Sequence, residues 1–375
     1  MSRFPEGLEA YLADRDFTRR DFLKFSSLMA CTLALPRRYV NDIANALQNV
    51  TRPPVLWLEF QDCAGCTEAL LRASRPTAAE LVLDVLSLDY HETIMAASGH
   101  LAEEAKKSTI DAGGYLLVIE GSIPTAEDGI YCCIGGRTAV DILQEAASNA
   151  AAVIAVGSCA TFGGIPKAAP NPTGAVSVVD LVTDKPVLNL PGCPYNPVNL
   201  TATVVHFLTF GELPAMDSLN RPLFAYGSRI HDNCERRGHF DAGEFVLSWG
   251  DAGHRKGWCL YRMGCKGPVT FHNCPAVRYN DGTNWPIGGG HGCIGCSEPD
   301  FWELGVYNTA ELQSFAPPTT FAPVQLPTQA IAPPTAGVIG GLAGLAIGAA
   351  GTAAYLQLSK SSPPEEADDV SSGEE

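Results

Sequence analysis

Eleven side chains able to bind iron fall along the chain in sets of four, four and three. Cys63 and Cys66 form a C-x-x-C pair, and Cys159 and Cys193 follow downstream in Gly157-Ser-Cys159-Ala and Pro191-Gly-Cys193-Pro. The second set is His231, Cys234, Cys259 and Cys265; the third is Cys274, Cys293 and Cys296, with Asn284-Trp285-Pro286 between its first two members. Thiolates are ligands for zinc and for iron–sulfur clusters, and in exported chains they also pair as disulfides. Any one C-x-x-C fits a redox disulfide or half a zinc site as well as a cluster. The full set points to clusters and hence to electron transfer. Four cysteines suit a four-iron cluster. A neutral histidine in place of one thiolate lowers the charge of a site near the surface. Three cysteines with an intervening proline suit a three-iron cluster. A zinc- and disulfide-held structural protein stays open as the alternative.

The elements that must position these groups are legible as apolar runs. Residues 55–60, 115–120, 152–156 and 186–190 are continuous apolar stretches bounded by Gly or Pro, and 77–88 has the composition of a helix leading into another. Continuous rather than alternating runs predict strands covered on both faces, as in a parallel α/β sheet. Residues 139–151 and 197–210 have helical composition between them. This order predicts a flavodoxin-like, doubly wound domain over 53–210. Cys63, Cys66, Cys159 and Cys193 then follow three strand ends, the edge where such sheets place ligands. Residues 211–310 lack long periodic segments and are rich in Gly, Pro, Asn and His. Such a stretch buries little through regular elements, so metal ligands are the expected brace. Cys132 and Cys133, being adjacent, cannot readily chelate one ion together and read as buried small hydrophobes.

The chain has 375 residues, 13 cysteines, 46% hydrophobic residues and a formal charge of −16. The acidic balance argues against nucleic acid, which needs a basic face. Residues 1–46 read as a targeting segment. Thr18-Arg19-Arg20-Asp21-Phe22-Leu23-Lys24 is a twin-arginine motif, followed by an apolar run over 25–35 and a cleavage site at Ala44-Asn45-Ala46. Residues 311–336 form a linker with six prolines between Pro317 and Pro334, 337–358 is an almost wholly apolar stretch, and 359–375 is an acidic tail. As a helix the 22 residues of 337–358 would span about 33 Å, enough to cross a bilayer once.

Taken in order, the three ligand sets resemble the small subunit of membrane-bound periplasmic nickel–iron uptake hydrogenases. Glu120-Gly-Ser-Ile-Pro124, Asn171-Pro-Thr-Gly174, His239-Phe-Asp-Ala-Gly243 and Cys265-Lys-Gly-Pro268 add to the match, which covers about 53–310. The resemblance implies a proximal [4Fe–4S] cluster on Cys63, Cys66, Cys159 and Cys193. It implies a distal [4Fe–4S] cluster on His231, Cys234, Cys259 and Cys265, and a medial [3Fe–4S] cluster on Cys274, Cys293 and Cys296. It also implies that hydrogen is split at a nickel–iron centre in a separate large subunit. Electrons then pass proximal to medial to distal, and on to a membrane cytochrome b or other quinone-reducing subunit. The expected place is the periplasmic face of the inner membrane, reached folded by the twin-arginine route. A relay subunit of another quinone-linked oxidoreductase is the second alternative. Oxygen-tolerant members of this family carry extra cysteines where this chain has Gly65 and Gly164.

Overall fold

The structure, a computed structural model, describes residues 19–49, 53–73, 86–280 and 282–303, which belong to one compact unit. Five parallel strands form the central sheet: β1 (Pro54–Glu59), β2 (Ser87–His91), β3 (Leu116–Glu120), β4 (Ala152–Val156) and β5 (Val187–Leu190). Their spatial order is β2-β1-β3-β4-β5, the flavodoxin-like order. Every residue of β3, β4 and β5 is buried, which is why these strands read as unbroken apolar runs. Leu56 and Leu58 pack into the core on one face with Leu117 and Ile119; Val55 and Trp57 pack on the other with Leu116 and Val118.

The described helices include α1 (Arg19–Thr32), α2 (Val40–Asn49), α3 (Gly65–Leu71), α4 (His100–Ala112), α5 (Ala139–Ser148), α6 (Gly157–Phe162) and α7 (Pro197–Phe210). α7 starts where expected, with the Asn196 side chain accepting from the N–H of Val198 at 3.0 Å and Pro197 in the first turn. Gly211, at φ +73°, ends it, the left-handed stop that a residue without Cβ takes most easily. The helix proposed from 77 falls largely within 74–85, outside the described residues, and β2 occupies its end. α4 was not expected from the sequence. Its Lys106 is buried, pairing with Glu103 at 2.7 Å and lying 4.8 Å over the Tyr90 ring, so a cation sits where an apolar residue would mark the face.

Among the described residues from 211 to 303 no helix exceeds the five residues of Arg237–Asp241. The core of this region includes Cys265, Cys274 and Cys293 beside Ile230, Val246 and Trp285. Buried Arg221 ties it together: its guanidinium donates to Asp217 at 2.8 Å, to the carbonyl of Ser297 at 2.9 Å and to Glu298 at 3.0 Å. Asn199 and Asn273 exchange amide hydrogen bonds, and the Tyr279 hydroxyl donates to the carbonyl of Pro194 at 3.2 Å, fixing the region to the start of α7. Among the described residues no helix is long and apolar enough to cross a membrane. The apolar stretch 337–358, with the linker and tail around it, lies outside the described residues.

Candidate metal centres

All 13 cysteines are free thiols, which sets aside the disulfide framework. The first four expected ligands meet at the carboxyl ends of the strands. Cys63 and Cys66 bracket the turn from β1 into α3, Cys159 lies in α6 after β4, and Cys193 follows β5. The hydroxyl of Ser158 accepts from the N–H of Gly192 at 3.0 Å, joining the last two turns. Cys66, Cys159 and Cys193 lie within electrostatic reach of one another, as do Cys159 and Cys193 with Cys63. Burial, followed by the neighbouring thiols, pushes Cys159 up to about 12. Burial and then the Glu120 carboxylate raise Cys66 well above the ordinary thiol range. Sulfurs so placed repel one another once ionised, and bound cations remove that penalty.

Two glycines leave the room these sulfurs take. A Cβ on Gly157, at φ +80°, would lie 2.4 Å from Sγ of Cys66. One on Gly164, at φ +63°, would lie 2.6 Å from Sγ of Cys159.

Beneath Cys66 sits a carboxylate network that the ligand pattern alone did not reveal. Glu120, the last residue of β3, accepts from the backbone N–H of Cys66 at 3.0 Å and of Thr67 at 3.2 Å, and from the Trp57 indole at 3.2 Å. The Thr67 hydroxyl lies 2.7 Å from both Glu59 and Glu120. One hydroxyl has one proton to give, so one of the two carboxyls must itself be protonated when both contacts form. Burial accordingly holds Glu120 up to about 7 and raises Glu59 as well. The available signal was a carboxylate ending an otherwise apolar strand.

The second group surrounds a cavity lined by His231, Cys234, Cys259 and Cys265 together with Arg236 and Arg237. Burial, then the Arg237 charge, lowers His231 to about 4, leaving the neutral imidazole that can ligate a metal. Sγ of Cys234 accepts from the N–H of Arg236 at 3.4 Å.

The third group, Cys274, Cys293 and Cys296, is packed inside the irregular region. Burial raises all three, Cys293 to about 12 and Cys296 to about 11. His272 is a second residue the sequence reading missed. Its Nδ1 accepts from the Cys274 N–H at 3.0 Å and lies 2.9 Å from Sγ of Cys274. Pro286 is exposed between buried Trp285 and Ile287. Cys132 is half-buried and packs against the core beneath the sheet, whereas Cys133, on the short hairpin after it, is exposed, so the reading of both as buried hydrophobes is corrected for Cys133. The reason is the glycine turn at Gly135-Gly136, which turns the hairpin back on itself and leaves Cys133 outside.

The groups are joined in series. Cys296 of the third is within electrostatic reach of Cys193 of the first, and the Ser158 hydroxyl donates to the carbonyl of Cys296. On the other side, the N–H of Cys293 donates to Sγ of Cys265 of the second group at 3.3 Å. The group last in sequence is therefore the middle one in space. Free thiols gathered in groups of four, three beside His231, and three, amide donors to sulfur and the room left by Gly157 and Gly164 all fit iron–sulfur clusters.

Known proteins share this fold and much of this sequence. Residues 226–307 match the family model for the C-terminal part of the NiFe/NiFeSe hydrogenase small subunit. Residues 63–207 match that of the 20 kDa subunit of NADH ubiquinone oxidoreductase. The chain is 45% identical over 335 residues to the hydrogenase-2 small chain of Escherichia coli K12, covering 88% of this chain and 90% of that one. It is 49% identical over 296 residues to the quinone-reactive Ni/Fe-hydrogenase small chain of Wolinella succinogenes, covering 78% and 83%. Among solved structures, the [NiFeSe] hydrogenase of Desulfovibrio vulgaris Hildenborough matches with TM-score 0.65 and 38% identity, covering 70% of this chain and 99% of that one. With close to half of the residues identical over most of the length of these relatives, the chain belongs to the nickel–iron hydrogenase small-subunit family.

Proposed function

We propose that this electron-transfer subunit holds three iron–sulfur clusters on the eleven residues named. Cys63, Cys66, Cys159 and Cys193 would hold a proximal [4Fe–4S] cluster. Cys274, Cys293 and Cys296 would hold a medial [3Fe–4S] cluster, and His231, Cys234, Cys259 and Cys265 a distal [4Fe–4S] cluster. The observation that carries the order is the pair of links, Cys193 to Cys296 and Cys293 to Cys265. Bound there, the clusters supply one-electron redox steps that carry electrons from hydrogen oxidation at the large subunit's nickel–iron site to an acceptor.

This chain's own residues do the positioning. Glu120 anchors the first turn of α3 and so fixes Cys66. The Asn199–Asn273 pair locks the medial segment against the sheet domain, and Arg221 braces the 211–303 region from within. Cys63 and Cys193 are exposed, which suits a proximal group facing the large subunit. The quinone-reactive relative supports a membrane partner of the cytochrome b or other quinone-reducing kind. The periplasmic [NiFe] relative from Nitratidesulfovibrio vulgaris Hildenborough supports action in the periplasm. Residues 1–46 are read as a twin-arginine export segment, 53–210 as the proximal-cluster domain and 211–310 as the domain of the other two clusters. Residues 311–336 are read as linker, 337–358 as a single membrane anchor and 359–375 as tail.

The test is purification of the complex with measurement of iron, nickel and hydrogen-dependent dye reduction. A nickel-free, colourless preparation without dye reduction would overturn the reading. Truncation before Gly337 should release active protein from membranes; retention in washed membranes would remove the anchor from the scheme.

A further inference from the structure

The proposed export segment is folded onto the domain that follows it. In α1, Phe22, Ser26, Met29 and Ala30 recur on one helical face and are all buried, as is Leu33 in the turn that follows, whereas Leu23 and Leu28 on the other side are exposed. The Ser26 hydroxyl donates to the carbonyl of Phe22 at 3.0 Å, so the one polar group on the buried face is satisfied within the helix. The chain turns over 33–36 and returns in α2, which buries Ile43 and Ala44. Opposite them stand Ala202 and Val205 of α7, both fully buried, with half-buried Phe224 packed alongside. The Tyr39 ring meets Phe210 edge-on at 5.7 Å. α7 therefore buries two faces, Leu200 and Val204 toward the sheet and Ala202 and Val205 toward the hairpin.

We propose that this face of α7 is the docking surface for the chain's own export segment. It holds the apolar run and the cleavage site out of reach until the hairpin is released. This rests on the reading of residues 1–46 as an export segment. The side chains sunk against α7 belong to the apolar run that an export machinery must bind, so one face cannot serve both at once. Cleavage after Ala46 meets a second barrier. Ala44, Asn45 and Ala46 lie within α2, with Ala44 buried, and proteases cut exposed, locally unfolded backbone. Because the docking face exists only once α7 has packed on the sheet, docking follows folding, and release of the hairpin becomes a separate step before export.

The test is hydrogen exchange on the purified uncleaved precursor in complex with its large subunit, against a free peptide of residues 19–49. Docking predicts that amides of 24–33 and 40–47 exchange about a hundredfold more slowly than in the peptide. Ile43→Glu should remove at least about tenfold of that protection and speed cleavage after Ala46 by added signal peptidase. The visible absorption should stay unchanged, since the substitution lies outside the mature domain. Precursor amides exchanging at the peptide's rate, or an Ile43→Glu precursor with unchanged protection and cleavage, would overturn the proposal. The export reading is judged separately by Arg19→Lys with Arg20→Lys. Loss of export with protection intact supports it, and undiminished export refutes it, whichever way the exchange result falls.

Discussion

Replacing Gly157 by alanine places a methyl carbon 2.4 Å from Sγ of Cys66 on a residue whose φ is +80°. Two costs follow. A left-handed conformation costs an L-residue about 1–2 kcal/mol, and forcing a methyl into a filled space about 1–3 kcal/mol, together about 2–5 kcal/mol or a factor of roughly 30 to 4,000. The cheapest relief is rotation of the Cys66 side chain, because the backbone around it is held by Glu120. That rotation takes the thiol out of its group of four, so the cost should appear as lost iron more than as unfolding. Gly136→Ala is the matched control: φ is +78°, yet nothing lies within 4 Å of the added carbon. It carries the backbone cost alone. Iron per complex, visible absorption, hydrogen-dependent dye reduction and the urea midpoint are the measurements. Gly157→Ala should lose iron and dye reduction beyond anything seen in Gly136→Ala. Equal iron content and equal midpoints in the two variants would refute the claim that this glycine exists to make room for Cys66.

Burial holds the Glu92 carboxyl up at about 8 against an ordinary 4.5, so the folded state binds its proton more tightly than the unfolded chain does. The resulting stability is complete below about pH 4.5 and declines as pH rises toward about 8; Glu92→Gln should flatten that decline in urea midpoints taken from about pH 5 to about pH 9, and parallel profiles would sink the argument. Cys274→Ser should abolish the three-iron signal in electron paramagnetic resonance while the subunits still associate, and an unaltered signal would show the third ligand set to be wrong. With Gly65 and Gly164 in place of extra cysteines, and a Cβ at 164 falling 2.6 Å from Sγ of Cys159, hydrogen oxidation at an electrode should stop under oxygen and recover on reduction. Sustained current in air would contradict the four-thiolate proximal site.

Much of this was legible from residue order alone. Strands β3, β4 and β5 are buried throughout, and burial on both faces leaves a continuous apolar signature that needs no knowledge of neighbours. The cysteine spacing suggested three ligand sets, which folding gathers into three groups, and the lack of periodic segments over 211–310 marked a region whose described residues hold no helix longer than five residues. What stayed hidden depends on contacts between distant segments. α4 escaped because Lys106 is buried through its pairing with Glu103 and its position over Tyr90. Glu120 and His272 carry no ligand spacing; they matter because folding sets one beneath Cys66 and the other beside Cys274. The proposed export motif lies at 18–24 in the sequence, but that the apolar run after it packs on Ala202 and Val205 depends on a helix more than 150 residues away. Which side chains can bind metal is a property of local chemistry, so the sequence could propose the groups. The order of the groups in space is a property of packing. Only the fold, by bringing Cys296 to Cys193 and Cys293 to Cys265, put the last group of thiols between the other two.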